Sequence, residues 1–143
     1  MADELTDVQR QNLELVGRML EVGERAGLAG LAAEFNAFFD RDVEWVPRLV
    51  GFGERAFRGK EGFQQYIAEV TETVGELSFS GSEVRAVGDD RVLALGRVHV
   101  VGRKSGLPFE DEYAFLYRVE ADRVVSAQAF LSHAQAEEAA ADA

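Results

Sequence analysis

The sequence lacks cysteine altogether and contains only two histidines, two prolines and one tryptophan among its 143 residues. Without cysteine there is no disulfide, thiolate metal ligand or cysteine nucleophile. His99 and His133 lie too far apart in the sequence to show the spacing of a metal site. Neither a Gly-x-Gly-x-x-Gly fingerprint nor a Walker lysine motif occurs. We therefore predict that the protein uses no metal and no cofactor.

Positive charge is also scarce. Lysine and arginine total 15 against 26 acidic residues, which gives a formal net charge of −11. Such a surface repels phosphate backbones and anionic lipid headgroups, so nucleic acid and membranes are excluded as expected partners. The first residues are acidic, without the apolar core of a secretory signal, and no apolar run approaches the roughly 18 residues of a membrane helix. We expect a cytoplasmic protein.

The remaining composition is that of one globular domain. Hydrophobic residues make up 47% and charged residues 29% of the chain, which is ordinary for a folded protein. No internal repeat, linker or change of composition divides the sequence. We predict a single domain over residues 1–143.

Helical signals dominate the first half of the chain. Thr6 and Gln9 form a capping box ahead of an apolar stripe at helical spacing, which ends near Gly27 as a C-cap. A second, shorter helix follows Gly27. A third helix is predicted over 59–74, where aromatic and β-branched residues recur at helical spacing.

Strand signals dominate the second half. An alternating segment at 42–47 is stopped by Pro47 and predicts a short edge strand, followed by a loop over 48–58. From residue 77 the apolar residues recur with period two, and turn residues separate the segments as hairpins. Four strands are predicted, at 77–87, 91–103, 109–119 and 124–132. The remaining tail is a short helix or a frayed end.

The strand at 91–103 carries apolar residues on both faces. One face holds a row of small apolar residues: Val92, Ala94, Gly96, Val98 and Val100. The other face is apolar except for Arg97 and His99 near its middle. An antiparallel strand with one face in water shows a clean apolar and polar alternation. We therefore expect helices to cover one face and a partner chain or further residues to cover the other.

Three short motifs, in this order and spacing, resemble those of SnoaL-like proteins in the NTF2-like superfamily. They are Asp42-Val43-Glu44-Trp45, Phe57-Arg58-Gly59-Lys60-Glu61-Gly62-Phe63 and Asp122-Arg123-Val124-Val125. The resemblance implies an α+β cone in which a curved, mostly antiparallel sheet packs on three helices and encloses one pocket. It also implies a homodimer across the convex face of the sheet. On this reading, Arg97 and His99 lie in the pocket and the row of small apolar residues forms the interface.

The resemblance also allows the catalytic positions of the family to be compared. Trp45 stands where ketosteroid isomerases carry their aspartate base, and Met19 and Tyr113 stand at their oxyanion hole. Arg97-Val98-His99 resembles the Arg-x-Asp pair of limonene-epoxide-hydrolase-like members, with histidine in place of aspartate. Ser132 replaces the aspartate of SnoaL-type cyclases. No catalytic set of the family is complete in this sequence.

A different site can be assembled from strand alternation and the family alignment. They put Asp111 and Tyr113 on the inner face, and the hairpin is expected to bring His99 near Asp111 or Tyr113. His99 would act as base, Asp111 would orient it, and Arg97 and Tyr113 would bind a substrate oxygen. In the structural alternative, His99 and Arg97 are satisfied by neighbouring groups. The expected pocket walls are Trp45, Tyr66, Leu95 and Phe115.

Two functions remain open at the level of sequence. In the first, the protein binds a small, largely apolar, oxygenated molecule and catalyses proton transfer, cyclisation or hydration without a cofactor. In the second, it is a non-catalytic dimeric ligand-binding or interaction module of the same fold. A sealed His99 with both ring nitrogens bonded would favour the second.

Overall fold

The computed structural model describes residues 4–48, 55–73, 75–102, 106 and 108–141. The helices of this part are α1 (Asp7–Ala33), α2 (Phe35–Phe38), α3 (Gly59–Thr73) and α4 (His133–Ala141). The strands are β1 (Phe39–Val46), β2 (Phe57–Arg58), β3 (Gly75–Val87), β4 (Arg91–Gly102), β5 (Pro108–Glu120) and β6 (Arg123–Phe130). They form one curved, unclosed sheet in the order β2-β1-β6-β5-β4-β3. The α+β prediction is confirmed.

The first helix begins as predicted but ends later. The Thr6 hydroxyl accepts from the Gln9 backbone N–H, and the Gln9 side chain accepts from the Thr6 backbone N–H, which completes the capping box. Gly27 interrupts the helix where a C-cap was predicted, with φ 70° and ψ −168°, so α1 consists of two helical segments joined at a kink. Glycine adopts this conformation without the Cβ clash that other residues meet. The segment predicted as a second helix is mostly the part of α1 beyond the kink.

The prediction of an edge strand at 42–47 is wrong. β1 begins earlier, at Phe39, and pairs with two neighbours: antiparallel with β2 and parallel with β6. The partner β2 lies within the segment predicted as a loop, and residues 49–54 of that segment lie outside the described residues. Local alternation cannot reveal a partner 80 residues away, which is why this pairing was missed.

The glycine of the Arg58-Gly59 motif has a packing reason. At Gly59 the chain leaves β2 and enters α3 with φ +68°. A Cβ built on this residue would lie 2.8 Å from the backbone oxygen of Arg41, closer than real Cβ contacts. Only glycine permits this approach of β1 to the start of α3, so the motif is explained by the fold.

The remaining strands follow the predicted order, with the β3–β4 turn at Gly88 and the β5–β6 turn at Ala121 and Asp122. The predicted turn residues Lys104 and Ser105 lie outside the described residues. The tail forms α4, which packs on the face of the sheet opposite α1 and α3. We call the side towards α1 and α3 the inner face and the side towards α4 the outer face.

The row of small apolar residues on β4 lies on the inner face, not at a dimer interface. Val92, Ala94 and Val98 are 0%, 3% and 4% exposed and belong to the same core as α1 and α3. The outer face carries Leu93 and Leu95 instead, packed with Ala136 of α4. The expectation that a partner subunit packs against this row is therefore wrong, because the helices of the same chain already bury it.

Candidate ligand-binding cavity

An aromatic cavity lies between α1 and the inner face. Trp45 of β1, Phe79 of β3 and Tyr113 of β5 form much of its wall, and α1 closes it from the other side with Met19 and Leu28. Further lining residues are Leu20, Gly23, Glu24, Leu31, Ala94, Gly96, Arg97, Phe115 and Tyr117. The cavity volume is about 30 Å³, so the aromatic side chains fill most of the cone.

The rings make close, defined contacts. Phe79 stacks on Tyr113, with 5.5 Å between centroids and 12° between planes. Phe115 meets the Tyr113 ring edge-on at 5.0 Å and lies 5.1 Å from Trp45. Such contacts contribute about 0.5–1.5 kcal/mol each beyond the area that they bury. The rings of the cavity wall therefore form one connected cluster.

The polar groups of this cluster are phenols and one indole. The Tyr113 hydroxyl donates to the backbone oxygen of Pro47 at 2.5 Å. Burial raises the pKa of Tyr113 and also that of Tyr66 and Tyr117 well above their ordinary range. The Trp45 indole opposes this effect at Tyr66. All three phenols therefore keep their protons at neutral pH, and that of Tyr113 is donated to Pro47.

Some of the predicted site residues do come together. Trp45, Tyr113 and Phe115 line the cavity, and Tyr66 of α3 packs behind Trp45 with 5.7 Å between ring centroids. Met19 lines the same cavity. Met19, Trp45 and Tyr113, the three positions that the resemblance aligned with catalytic groups of ketosteroid isomerases, thus lie around one cavity, and none of them is a carboxylate.

Leu95, Arg97 and His99 lie on the outer face, which corrects the expected pocket. The register of β4 and β5 sets Gly96 opposite Tyr113 and His99 opposite Glu110. Directly opposed residues share a face, and a shift of one residue reverses every side chain. Arg97 also borders the cavity beside Gly96, but its guanidinium bonds to Glu110 on the outer side.

The partner of His99 is Glu110 and not Asp111. His99 Nδ1 lies 2.9 Å from a Glu110 carboxylate oxygen, and His99 Nε2 lies 2.5 Å from the Ser80 hydroxyl. Asp111 is exposed, and its carboxylate accepts from the Glu112 backbone N–H. The expected pair of His99 and Asp111 is therefore wrong. Both ring nitrogens of His99 are already bonded.

Glu110 joins Arg97 and His99 into one cluster on the outer face. The Arg97 Nε donates to it at 2.6 Å. This hydrogen bond from Arg97, together with the charges of His99 and Arg97, lowers the pKa of the Glu110 carboxyl. The second histidine, His133 at the start of α4, lies 2.8 Å through Nε2 from the Gly96 backbone oxygen. Both histidines therefore make structural contacts outside the cavity.

Phe79, Ala94 and Leu28 line the cavity and were not among the predicted site residues. The signal for Phe79 is the alternation of Leu77 and Phe79, which puts both on one face of β3. Leu28 follows the kink in α1, and local sequence does not reveal where the kink directs it. Ala94 belongs to the row that was expected at a subunit interface.

No group of three or more histidine and acidic side chains in the described part of the chain is placed to hold a metal ion. None of its helices is long and apolar enough to cross a membrane.

Residues 16–127 match the family model of the SnoaL-like domain. The chain belongs to the SnoaL-like family. The match covers most of the sequence, including the larger part of α1, nearly all of the sheet and the residues that line the cavity. A comparison with curated protein sequences finds no match.

Solved structures resemble this SnoaL-like domain throughout. An NTF2-like protein of unknown function from Burkholderia pseudomallei is 22% identical in sequence and superposes with a TM-score of 0.69. The alignment covers 87% of this chain and 93% of the neighbour's chain. TerC, crystallised with polyporic acid, is 18% identical with a TM-score of 0.70, covering 92% and 98%.

A ketosteroid isomerase-like protein from Catenulispora acidiphila, in complex with trimethylamine, is 17% identical with a TM-score of 0.66, covering 84% and 86%. At these identities the three likenesses show the fold. The NTF2-like cone expected from the sequence is thereby confirmed.

Proposed function

We propose that this SnoaL-like domain binds one small, largely apolar, oxygen-bearing molecule at its inner face, without a cofactor. The observation that carries the proposal is the aromatic wall of Trp45, Phe79, Tyr113 and Phe115 around a Tyr113 hydroxyl that keeps its proton. Apolar walls with a few convergent polar groups are typical of ligand sites. The ligands named with two structural neighbours, polyporic acid and trimethylamine, are small molecules of different chemistry.

The geometry favours binding over histidine-based catalysis. A general base has to lie within hydrogen-bond reach of the proton it removes. His99 and His133 make their hydrogen bonds and ion pairs outside the aromatic cavity. The carboxylate among the residues that line this cavity belongs to Glu24, an exposed residue of α1. The enzymatic alternative, cofactor-free proton transfer, cyclisation or hydration, would rest on Tyr113 and Glu24 rather than on His99, Arg97 and Asp111.

Binding requires the cavity to widen. A volume of about 30 Å³ accommodates little more than one water molecule. Phe79 is the partly buried ring of the wall, whereas Trp45 and Tyr113 are almost fully buried. We therefore expect Phe79 to limit the size of the ligand.

The test uses the single tryptophan as its reporter. Polyporic acid and N-phenyl-1-naphthylamine are titrated against the protein, and quenching of Trp45 fluorescence is followed. Phe79→Ala should tighten binding of these bulky probes by roughly tenfold, since the side chain removed occupies space that the probe needs. Leu131→Ala is the matched control, because Leu131 is 48% exposed.

If neither probe quenches Trp45 in the wild-type protein or in Phe79→Ala, the binding proposal is refuted. A probe that binds equally well to both alanine variants would place the site elsewhere on the protein. Turnover that is abolished by His99→Ala in a normally folded variant would restore the catalytic reading of that residue.

A homodimer belongs to the same proposal, although the row on β4 no longer supports it. Support comes from Phe109, which is 57% exposed near the start of β5. Sedimentation velocity at micromolar concentration should show a dimer that Phe109→Glu converts to a monomer. A monomeric wild-type protein would refute this part of the proposal.

A further inference from the structure

A second cavity opens beside the kink in α1. It lies between Gly27, the last turns of α3 at Ile67 and Val70, and the start of β3 at Leu77. We call it the kink groove. Its volume is about 530 Å³, within the roughly 300–1,000 Å³ of small-molecule sites. The aromatic cavity, with about 30 Å³, is far below this range.

Leu28 separates the two cavities. It is a lining residue of both the kink groove and the aromatic cavity, and it is only 8% exposed. A side chain that contacts two cavities forms the wall between them. The nearby Leu31 has the same chemistry and lines the aromatic cavity alone.

The backbone next to Leu28 is suited to move it. Gly27 interrupts α1 with φ 70° and ψ −168°, and glycine passes between backbone conformations more readily than any other residue. The part of α1 beyond the kink can therefore turn about Gly27 while the part before it keeps its place in the core. Such a turn would displace Leu28 and join the two cavities.

The chemistry of the kink groove defines the ligand class. Ile67, Val70 and Leu77 supply apolar walls and Thr71 supplies a hydroxyl group, while Ser78 and His99 border the groove from the outer face of the sheet. The exposed Glu76 lies on the same rim, so a carboxylate or phosphate end on the ligand would be repelled. The groove is therefore matched to an elongated apolar molecule with a neutral hydroxyl, carbonyl or amine end.

We propose that the kink groove is the entry and outer half of the ligand site, and that Leu28 is the gate to its aromatic inner half. This rests on the proposed binding function and adds to it a route, a gate and a ligand shape. A neutral, elongated, largely apolar molecule enters at the rim, and its apolar end passes Leu28 towards Trp45. Its polar end stays beside Thr71.

The experiment uses N-phenyl-1-naphthylamine, which is neutral and becomes fluorescent in apolar surroundings. Thr71→Phe narrows the groove and should weaken probe binding by about tenfold or more, the effect of losing the burial of a leucine-sized part of the probe. Gln64→Phe is the matched control, since Gln64 is exposed on α3 roughly two turns earlier. It should change the affinity by less than about twofold.

The gate is tested separately with Leu28→Ala and its control Leu31→Ala. Leu28→Ala should speed association of the probe in stopped-flow measurements by roughly tenfold and increase energy transfer from Trp45. Leu31→Ala enlarges the aromatic cavity without opening it, so its association rate should stay near that of the wild type. Circular dichroism checks that each variant is folded.

The outcomes separate the two proposals. If the wild-type protein binds the probe but Thr71→Phe behaves like Gln64→Phe, the groove proposal fails and the binding function stands. If Leu28→Ala and Leu31→Ala have equal association rates, Leu28 is not the gate. If neither the wild-type protein nor Phe79→Ala binds a probe, both the groove proposal and the function on which it rests are overturned.

Discussion

Val98 provides the sharpest test of which face of β4 is buried. Its side chain is 4% exposed and belongs to the core under α1 and α3, although the sequence had placed it at a subunit interface. Val98→Asp puts a carboxylate into this core. Val101, three residues later on the same strand, is 42% exposed on the opposite face, so Val101→Asp is the matched control.

The expected loss of stability follows from burial. Removing a buried valine forfeits about 1.5–3 kcal/mol of apolar burial, and an unpaired carboxylate adds a desolvation cost. We expect Val98→Asp to lower the free energy of unfolding by about 3–5 kcal/mol, a large part of the roughly 5–15 kcal/mol of a typical domain. Both variants share the poor strand propensity of aspartate, so the difference between them reports burial.

The loss should also depend on pH. Burial raises the pKa of a carboxyl group in the folded state above its unfolded value of about 3.9. The unfolded state then binds fewer protons than the folded state as the pH rises between these two values, so folding loses stability in that window. Val98→Asp should therefore be more stable, relative to the wild type, at pH 4 than at pH 7.

Urea denaturation followed by Trp45 fluorescence measures these differences directly. We expect the free energy of unfolding of Val101→Asp to stay within about 1 kcal/mol of the wild-type value. It should exceed that of Val98→Asp by at least about 2 kcal/mol. Equal midpoints for the two variants would show that Val98 is not buried by its own chain. A Val98→Asp protein that remains fully stable but becomes monomeric would support the interface that the sequence first indicated.

Two further predictions concern polar contacts. Asn12→Ala removes the 2.9 Å hydrogen bond from the buried Asn12 side chain to the Asp89 backbone oxygen. It should lower the free energy of unfolding, measured by urea denaturation, by about 1–2 kcal/mol. Gln11→Ala changes an exposed neighbour and should lower the free energy of unfolding by less than about 0.5 kcal/mol. Arg97→Ala removes the main cause of the lowered pKa of Glu110 and should raise that pKa, measured by NMR titration of its carboxyl carbon. The lowered pKa of Glu110 stabilises the fold at pH values above the ordinary glutamate pKa, and this stabilisation is lost as the pH falls. The Arg97→Ala variant lacks it and should therefore lose less stability on acidification than the wild type. An unchanged pKa of Glu110 in the variant would contradict the contact with Arg97.

Local signals were sufficient where the physical cause is local. The capping box of Thr6 and Gln9 satisfies backbone groups within one helical turn, so its sequence pattern predicts the helix start. Period-two alternation likewise located β3 to β6 to within a few residues. The glycine in the Arg58-Gly59 motif was recognised from resemblance, and the structure adds the reason, a backbone approach by Arg41.

The kink at Gly27 was only half visible in the sequence. Glycine indicated a break in the helix, and the break is present. Whether the chain then turns away or resumes its helix depends on where Leu28 and Leu31 find apolar partners. Those partners are the aromatic residues of distant strands, which a local pattern does not contain.

The fold class and the membership of Trp45, Tyr113 and Phe115 in the cavity could be predicted from the sequence and the family resemblance. The face on which Arg97 and His99 lie could not be. Both faces of β4 are largely apolar, so hydrophobicity did not distinguish them, and the choice depended on the register across the β4–β5 hairpin. Packing decides that register, since it sets Gly96 opposite Tyr113 and lets α1 and α3 cover the aromatic side of β5. Successive side chains of a strand point to opposite faces. A shift of one residue in this pairing would therefore have put His99 in the cavity, whereas the actual register puts it beside Glu110 on the outer face.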